Sequence, residues 1–373
     1  MYVIKEVSGR TGISEFIKVP YEVYKNNDKK VFSIELMQKR ALSGKNNPLI
    51  NDNPHKFFVL YDQDGKLAGR ILAGVNIKLN REKNLNEGFI SLFECINDKV
   101  AAFMLFDTAV DYLKKEGVDK VKGPVSPTNG DDDRGVLIEG FEYPPVIMNV
   151  YNPAYYVEFF NEYGFDKDMD LYAFHLTTDN LDINRFERVV TFAMKKFNYR
   201  VDMFDKKYIQ REIKDIHEIL VKSMPSSWVH LAVPDEREIY SEIKNLMPFV
   251  DESLVYIARS GDRPIGFVAA IPDYNQVLDK IKGKLFPFGI FKFFIYRKKI
   301  DGARIFLQFV IPEFMNKGVN GSIFWRLMVE AGKKGYCWGE GSTVAEMNKE
   351  AIRSIQGAGG KLYKIYRIYQ KPI

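Results

Sequence analysis

The sequence predicts an α/β fold in which one unit is written twice. Each unit reads as a mixed, mostly antiparallel twisted sheet flanked by helices. Three observations carry this. The chain has 373 residues, enough for two or three cores at roughly 150 residues each. Two distant segments, Phe58 to Gly74 and Val255 to Ala270, share one pattern without a gap, Tyr61 falling on Ala258 and Gly69 on Gly266. The elements around these segments recur in the same order with the same end signals. The predicted domains are residues 1–180 and 181–373.

Each copy begins with a strand, MYVIKEV or YRVDMF, and then a helix. The first helix lies around Ile13–Tyr24; the second is REIKDIHEILVKSM, where Ile213, Ile216, Ile219 and Leu220 share one face. The two aligned segments are apolar runs around a short polar turn containing Gly, which is the pattern of a hairpin. GFISLFECI and ARIFLQFVI follow as strands. FMLFDTAVDYLKKEG and IFWRLMVEAGKKG are apolar-periodic helices ending in Lys-Lys and then Gly, as a helix C-terminus favours. VDKVKGP and YCWGEGS read as short strands. NPAYYVEFFNEYGF and NKEAIRSIQGAGG are helices that open on Asn, a good N-cap, and close on Gly. LYAFHL and LYKIYRIY end the copies as strands. Between the copies, Phe186, Val189, Val190, Ala193 and Phe197 recur at helical spacing and predict a connecting helix packed on the core.

Composition bounds the partners. There are 54 basic and 49 acidic residues, a net charge of +5, too balanced for a nucleic-acid footprint but compatible with an anionic ligand. Two cysteines, Cys95 and Cys337, exclude a disulfide framework, and no close Cys/His pairs predict a metal site. No basic-then-apolar leader and no run of ~18 apolar residues is present, so a cytoplasmic protein is the expectation.

Two segments of the second copy carry chemistry. In VIPEFMNKGVNGSIF a strand runs through a Gly-containing loop into a helix. Unpaired helix N–H groups and the macrodipole suit an anion there, glycine permits close approach, and Lys317 adds a charge. The second segment, EMNKEAIRSIQGAGGK, places Asn348 at the start of a helix.

This order of elements and these two segments resemble the GNAT superfamily of acyl-CoA-dependent N-acyltransferases, in a tandem arrangement covering nearly the whole chain. The resemblance implies acetyl-CoA or another acyl-CoA as cosubstrate, no metal, and a small-molecule or peptide amine as acceptor. It assigns the diphosphate to Lys317, Gly318, Val319, Asn320, Gly321 and Ser322, the pantetheine arm to Asn348, and the thioester oxygen to backbone donors at Phe309 or Val310. The match departs from Gln/Arg-x-x-Gly-x-Gly/Ala, with Met315 at the first position and Asn320 at the second small one. Ile355 stands where the family often has a Tyr acid, leaving Tyr363, Tyr366 and Tyr369 as substitutes, with Tyr366 retained as a catalytic candidate. Glu340 is the first choice of base and Glu346 the second; both also read as ordinary strand or helix-start carboxylates. The first copy, FECINDKVAAFMLF, lacks glycine between strand and helix and is expected not to hold CoA. More narrowly, the Gly-Pro-x-x-Pro loop, the Gly-Phe-x-x-Pro-Pro turn, Tyr-Asn-Pro-x-Tyr-Tyr and the terminal Tyr-Arg-Ile-Tyr resemble a family of bacterial GNAT-like proteins.

Two features remain open. The insertion Asp279–Asp301 mixes six aromatic residues with lysine and arginine, and three readings stand: a helix packed by its aromatic face, a lid over an acyl chain, and a membrane-surface helix. In GPVSPTNGDDDRG, Asp131, Asp132 and Asp133 read as a solvated turn or as the acidic wall of a substrate cleft. Non-catalytic binding on the same fold, and transfer from a larger carrier, are the competing functions.

Overall fold

The computed structural model describes residues 1–44, 47–128, 130–177, 183–224 and 234–373; His230 and the 180/181 boundary lie outside these. The first copy comprises β1 (Val3–Val7), α1 (Gly9–Val23), α2 (Glu35–Leu42), α3 (Pro48–Asn51), β2 (His55–Tyr61), β3 (Leu67–Val75), α4 (Ile77–Lys83), β4 (Glu87–Cys95), α5 (Lys99–Lys115), β5 (Lys120–Gly123), β6 (Val136–Glu139), α6 (Tyr155–Glu162) and β7 (Asp166–Thr177). Helix α7 (Ile183–Lys196) connects to the second copy. This comprises β8 (Arg200–Met203), α8 (Ile209–Ser223), α9 (Glu236–Leu246), β9 (Val255–Ser260), β10 (Arg263–Pro272), α10 (Asn275–Ile281), α11 (Gly289–Tyr296), β11 (Gly302–Val310), α12 (Val319–Lys333), β12 (Trp338–Ala345), α13 (Lys349–Gly357) and β13 (Lys361–Pro372).

All these strands join one sheet, in the order β1-β2-β3-β4-β5-β13-β7-β12-β11-β10-β9-β8, with β6 pairing β13. The order reads the same from either end once the copies are superposed. Its centre was not foreseen: the copies exchange their last strands. β13 pairs with β5 of the first copy, and β7 pairs with β12 of the second. The two exchanged strands then pair antiparallel with each other from Lys361↔His175 to Gln370↔Asp166. Each half of the sheet is therefore completed by the other half's chain.

The matched glycines have matched causes. A Cβ on Gly69 would lie 2.7 Å from Leu105 of α5, and one on Gly266 would lie 2.9 Å from Val310 and 3.2 Å from Val319 of α12. At both places the helix after the fourth strand packs directly on the hairpin. The expected inner face of α8 is confirmed, with Ile213, Ile216, Ile219 and Leu220 all buried. On α7, Val190 and Ala193 are buried but Val189 is 58% exposed, so the packed stripe is narrower than the spacing predicts. One predicted cap is also wrong. Asn348 caps α13 by accepting from Ala351 N, but Asn152 does not cap α6: its Oδ1 accepts from Leu137 N at 2.7 Å and ties down β6. Among the described residues, no helix is long and apolar enough to cross a membrane.

Candidate active site

In both copies the fourth and fifth strands pair in parallel only at their starts. β4 and β5 pair from Glu87 to Phe89, and β11 and β12 from Gly302 to Ile305. Beyond these points each pair diverges, and a bulge interrupts the fourth strand's pairing with the hairpin. The two openings then differ. In the first copy Val125 N donates to Ile90 O at 2.9 Å and Ser91 Oγ donates to Val125 O at 2.6 Å, so the opening is bridged. There the helix that follows is capped by its own carboxylate: Asp98 Oδ1 accepts from Val100 N and Ala101 N at 2.8 and 3.2 Å. A second anion at that N-terminus would meet a resident negative charge.

The second copy leaves its helix start open. Gly318 is the N-cap of α12 at φ +78°, a conformation glycine favours, and no side chain among the described residues caps the helix. The first-turn N–H groups of a helix have no internal partners, so Val319, Asn320 and Gly321 present donors that fit a diphosphate. Lys317 stands beside them, its ammonium 4.6 Å from the Phe314 ring. Ser322 is committed inward: its Oγ meets Gly318 O at 3.0 Å and the Tyr199 hydroxyl at 2.8 Å. The glycines serve packing too, because a Cβ on Gly318 would lie 2.8 Å from Ala193 of α7 and one on Gly321 would lie 3.6 Å from Phe186. Gln308 donates weakly to Asn320 at 3.4 Å.

A cavity of about 1780 Å³ runs between the copies. Its second-copy walls come from α8, α9, β10 and β11, including Leu307 and Phe309; its first-copy walls come from α1, α2 and the loop around Asp131–Asp133. It is lined largely by apolar side chains, with charged groups where Lys78 and Arg81 meet Asp235, Arg237 and Glu238 at the start of α9, and at a pole around Glu94. There the carboxylate of Glu94 accepts from the hydroxyls of Tyr24 and, at 3.1 Å, Tyr156; its other oxygen accepts from Lys30 at 3.1 Å and lies 3.7 Å from Arg70. The Arg70 guanidinium is buried, sits 4.8 Å from the Phe16 ring, donates to Phe16 O at 3.0 Å, and leaves Nε without a partner among the described residues. Burial pushes the Tyr24 and Tyr156 hydroxyls well above their ordinary range and pulls Arg70 down.

Asp133 faces the same charges. Its carboxyl is pushed up to about 6, first by burial and then by the neighbouring Asp132, against the pull of Lys30 and Arg70. Asp132 is tied by Ser126 and Thr128 at 2.7 and 2.6 Å. Asp131 is tied across the copies by Arg304 and by Thr343 at 3.1 Å. All three aspartates border the cavity, but only Asp133 accepts no side-chain hydrogen bond among the described residues.

Sequence reasoning missed Arg70 and Glu94. Cys95 lies opposite Gly69 and Val310 opposite Gly266, so Glu94 and Phe309 occupy equivalent positions, as do Arg70 and Phe267. The first copy holds an ion pair where the second stacks Phe267 on Phe309, with centroids 5.9 Å apart. The available signal was a single charge inside each of two otherwise apolar strands.

The residues singled out as catalytic do not meet in the cavity. Glu340 is fully buried behind its wall, accepting from Asn149 Nδ2 and Ser342 Oγ, each at 2.5 Å, and from the Tyr363 hydroxyl, with Lys364 Nζ at 3.5 Å. Every lone pair on that carboxylate has a donor, which suits a strut between copies more than a base. Burial lowers Lys364 and raises Tyr363. Nearby Asp273, buried and accepting from Ile147 N at 2.9 Å, is pushed up to about 7 by burial, with Glu340 adding to the rise. Glu346 is paired with Lys167 at 2.8 Å and accepts from Asp170 N at 3.1 Å, which fastens it to β7. Tyr366 is 1% exposed, and its hydroxyl lies in the core with no partner among the described residues. Val310 pairs with Gly266, and Asn348 caps α13. Among the described residues, no cluster of His, Cys, Asp and Glu could hold a metal ion.

No family model matches the chain. Its fold does have solved counterparts. A tandem GNAT protein from the clavulanic acid biosynthesis pathway superposes with a TM-score of 0.61 and 8% identity, covering 100% of this chain and 98% of that one. A GCN5-related N-acetyltransferase from Sphaerobacter thermophilus gives 0.55 at 10% identity, covering 99% and 95%. The chain thus has the tandem GNAT fold. Two curated proteins are similar to it from end to end. Protein YghO of Escherichia coli is 25% identical, covering 100% of this chain and 95% of its own. The bacterial ceramide synthase of Caulobacter vibrioides is 26% identical, covering 97% and 95%.

Proposed function

We propose that the protein is an acyl-CoA-dependent N-acyltransferase that joins a long acyl chain to the amine of a long-chain amphiphile. The observation that carries this is the cavity between the copies, bordered by the diverging β11 in one copy and by Asp133 in the other. At about 1780 Å³ it exceeds the ~300–1,000 Å³ usual for small-molecule sites, which favours hydrocarbon chains over an acetyl group and a small amine. Full-length similarity to a protein named as a ceramide synthase supports the same reading, since a ceramide is the amide of a fatty acid and a long-chain amino alcohol.

In this reading the start of α12 and Lys317 hold the diphosphate, and the thioester lies where β11 leaves β12. The amine enters as an ammonium attracted to the Asp133 pole. Asp133, with a carboxyl near 6, accepts its proton at neutral pH. The neutral nitrogen attacks the thioester carbon, the C–N bond forms and the C–S bond breaks; the nitrogen gives up its second proton to solvent, and solvent protonates the departing thiolate. Thiols ionise near pH 8.5, so departure without a side-chain acid is feasible. Glu94, Arg70 and Lys30 fix the pole's charges.

A second reading is a lipid-binding protein without transfer activity. One observation favours it: Ile355 replaces the usual Tyr, and neither Tyr363, Tyr366 nor Tyr369 borders the cavity. One assay separates the two. With palmitoyl-CoA and a long-chain amino alcohol, transfer releases free thiol and yields an amide detectable by mass spectrometry; binding alone gives neither.

A further inference from the structure

We infer that the segment around α11 docks the protein on an anionic lipid bilayer beside the cavity. Residues 280–300 contain seven Lys and Arg and no Asp or Glu. Lys280 and Lys282 are paired with Asp279, while Lys284, Lys292, Arg297, Lys298 and Lys299 form no ion pair among the described residues. Interleaved with these, Phe286, Phe288, Phe291, Phe294 and Ile295 are 75, 71, 67, 54 and 60% exposed. Folded chains rarely leave five large apolar side chains exposed in one short stretch without a use for them.

The segment is two-sided. On α11, Phe291, Phe294 and Ile295 stand at i, i+3 and i+4 on the outer face. Phe293 points inward, stacks on Tyr274 with centroids 5.7 Å apart, and borders the cavity. Lys284 lies 5.3 Å from the ring of Tyr21, another cavity residue. Aromatic side chains ringed by unpaired cations complement an interface of acyl chains under anionic headgroups. A symmetric contact with a second copy would set the same five cations against themselves. This placement does not depend on acyl transfer; it depends on the exposed face and its charge.

The test is co-sedimentation of the full chain, without substrate, with vesicles containing phosphatidylglycerol and with vesicles of phosphatidylcholine alone. The wild-type chain should pellet with the first, at low salt, and much less with the second. Phe288→Ser/Phe291→Ser/Phe294→Ser should lose most of that binding with an unchanged circular dichroism spectrum. Phe291→Trp should show fluorescence quenched by brominated acyl chains, which reports insertion. Absence of binding to phosphatidylglycerol vesicles overturns the inference. So does equal binding by the triple variant, or a concentration-dependent dimer, lost in that variant, in place of vesicle binding.

Discussion

Arg304 of the second copy donates through Nη2 to the carboxylate of Asp131 in the first. Its Nε donates to Ser342 Oγ at 2.9 Å and its Nη1 to Ile147 O at 3.2 Å, all from a fully buried guanidinium. One side chain thereby fastens the acidic loop, β12 and the loop before Asn149. The cavity lies against this fastening, so its shape depends on Arg304 and Ser342, which do not border it.

Arg304→Ala should therefore be strongly destabilising. Removing one partner of a buried pair costs about 3–5 kcal/mol because the remaining charge is left without compensation. Urea denaturation of the variant checks this. Arg304→Lys should recover only part, since an ammonium cannot reproduce the forked geometry. A loss below about 1 kcal/mol for Arg304→Ala would show that the copies are held elsewhere.

Asp133→Asn should slow amide formation by ~10²–10⁴-fold, the range of a lost general base. Wild-type kcat/KM should fall below pH 6, as Asp133 takes up its proton, and the variant should lack that limb. The sign for stability runs the other way. A carboxyl raised from about 3.9 in the unfolded chain to about 6 in the fold contributes stability below pH 3.9, lost as pH rises through 6. At pH 8 the Asn variant should thus be more stable, by ~1–3 kcal/mol, measurable as a higher urea midpoint.

The two helix starts make opposite predictions. Lys317→Glu should weaken CoA binding in calorimetry, because it sets a negative charge beside the open N-terminus of α12. Asp98→Ala should cost ~0.5–2 kcal/mol of stability as a lost cap and leave CoA affinity unchanged. Weaker CoA binding in the second variant alone would move the cosubstrate to the first copy.

Glu340→Gln places an amide where four donors converge, so it should destabilise the chain by ~1–3 kcal/mol. The pH limb near 6 should persist in it. Loss of that limb would return the role of base to Glu340.

Much of the fold was legible because it is local. Hairpins, helix ends and the packed face of α8 follow from periodicity and capping, and writing them twice made each copy a check on the other. The exchange of β7 and β13 was not legible. Both are apolar-alternating strands of the same kind, and nothing in LYAFHL or LYKIYRIY states which neighbour each will pair. The open start of α12 followed from Gly318 and the absence of a capping side chain. The charged pole did not, because Glu94, Arg70, Lys30 and Asp133 come from four segments that only the fold brings together. Glu340 drew attention as a carboxylate on the right strand, but its partners Asn149, Tyr363 and Lys364 are distant in sequence, so its saturation was invisible.

The most direct test of a shared cavity is the dependence of transfer on acyl-chain length, measured as amide formed from a long-chain amino alcohol with acetyl-CoA and with palmitoyl-CoA. The cavity predicts amide from palmitoyl-CoA, lost in Asp133→Asn, and little from acetyl-CoA. Equal use of acetyl-CoA, or no thiol release from either donor, would contradict it.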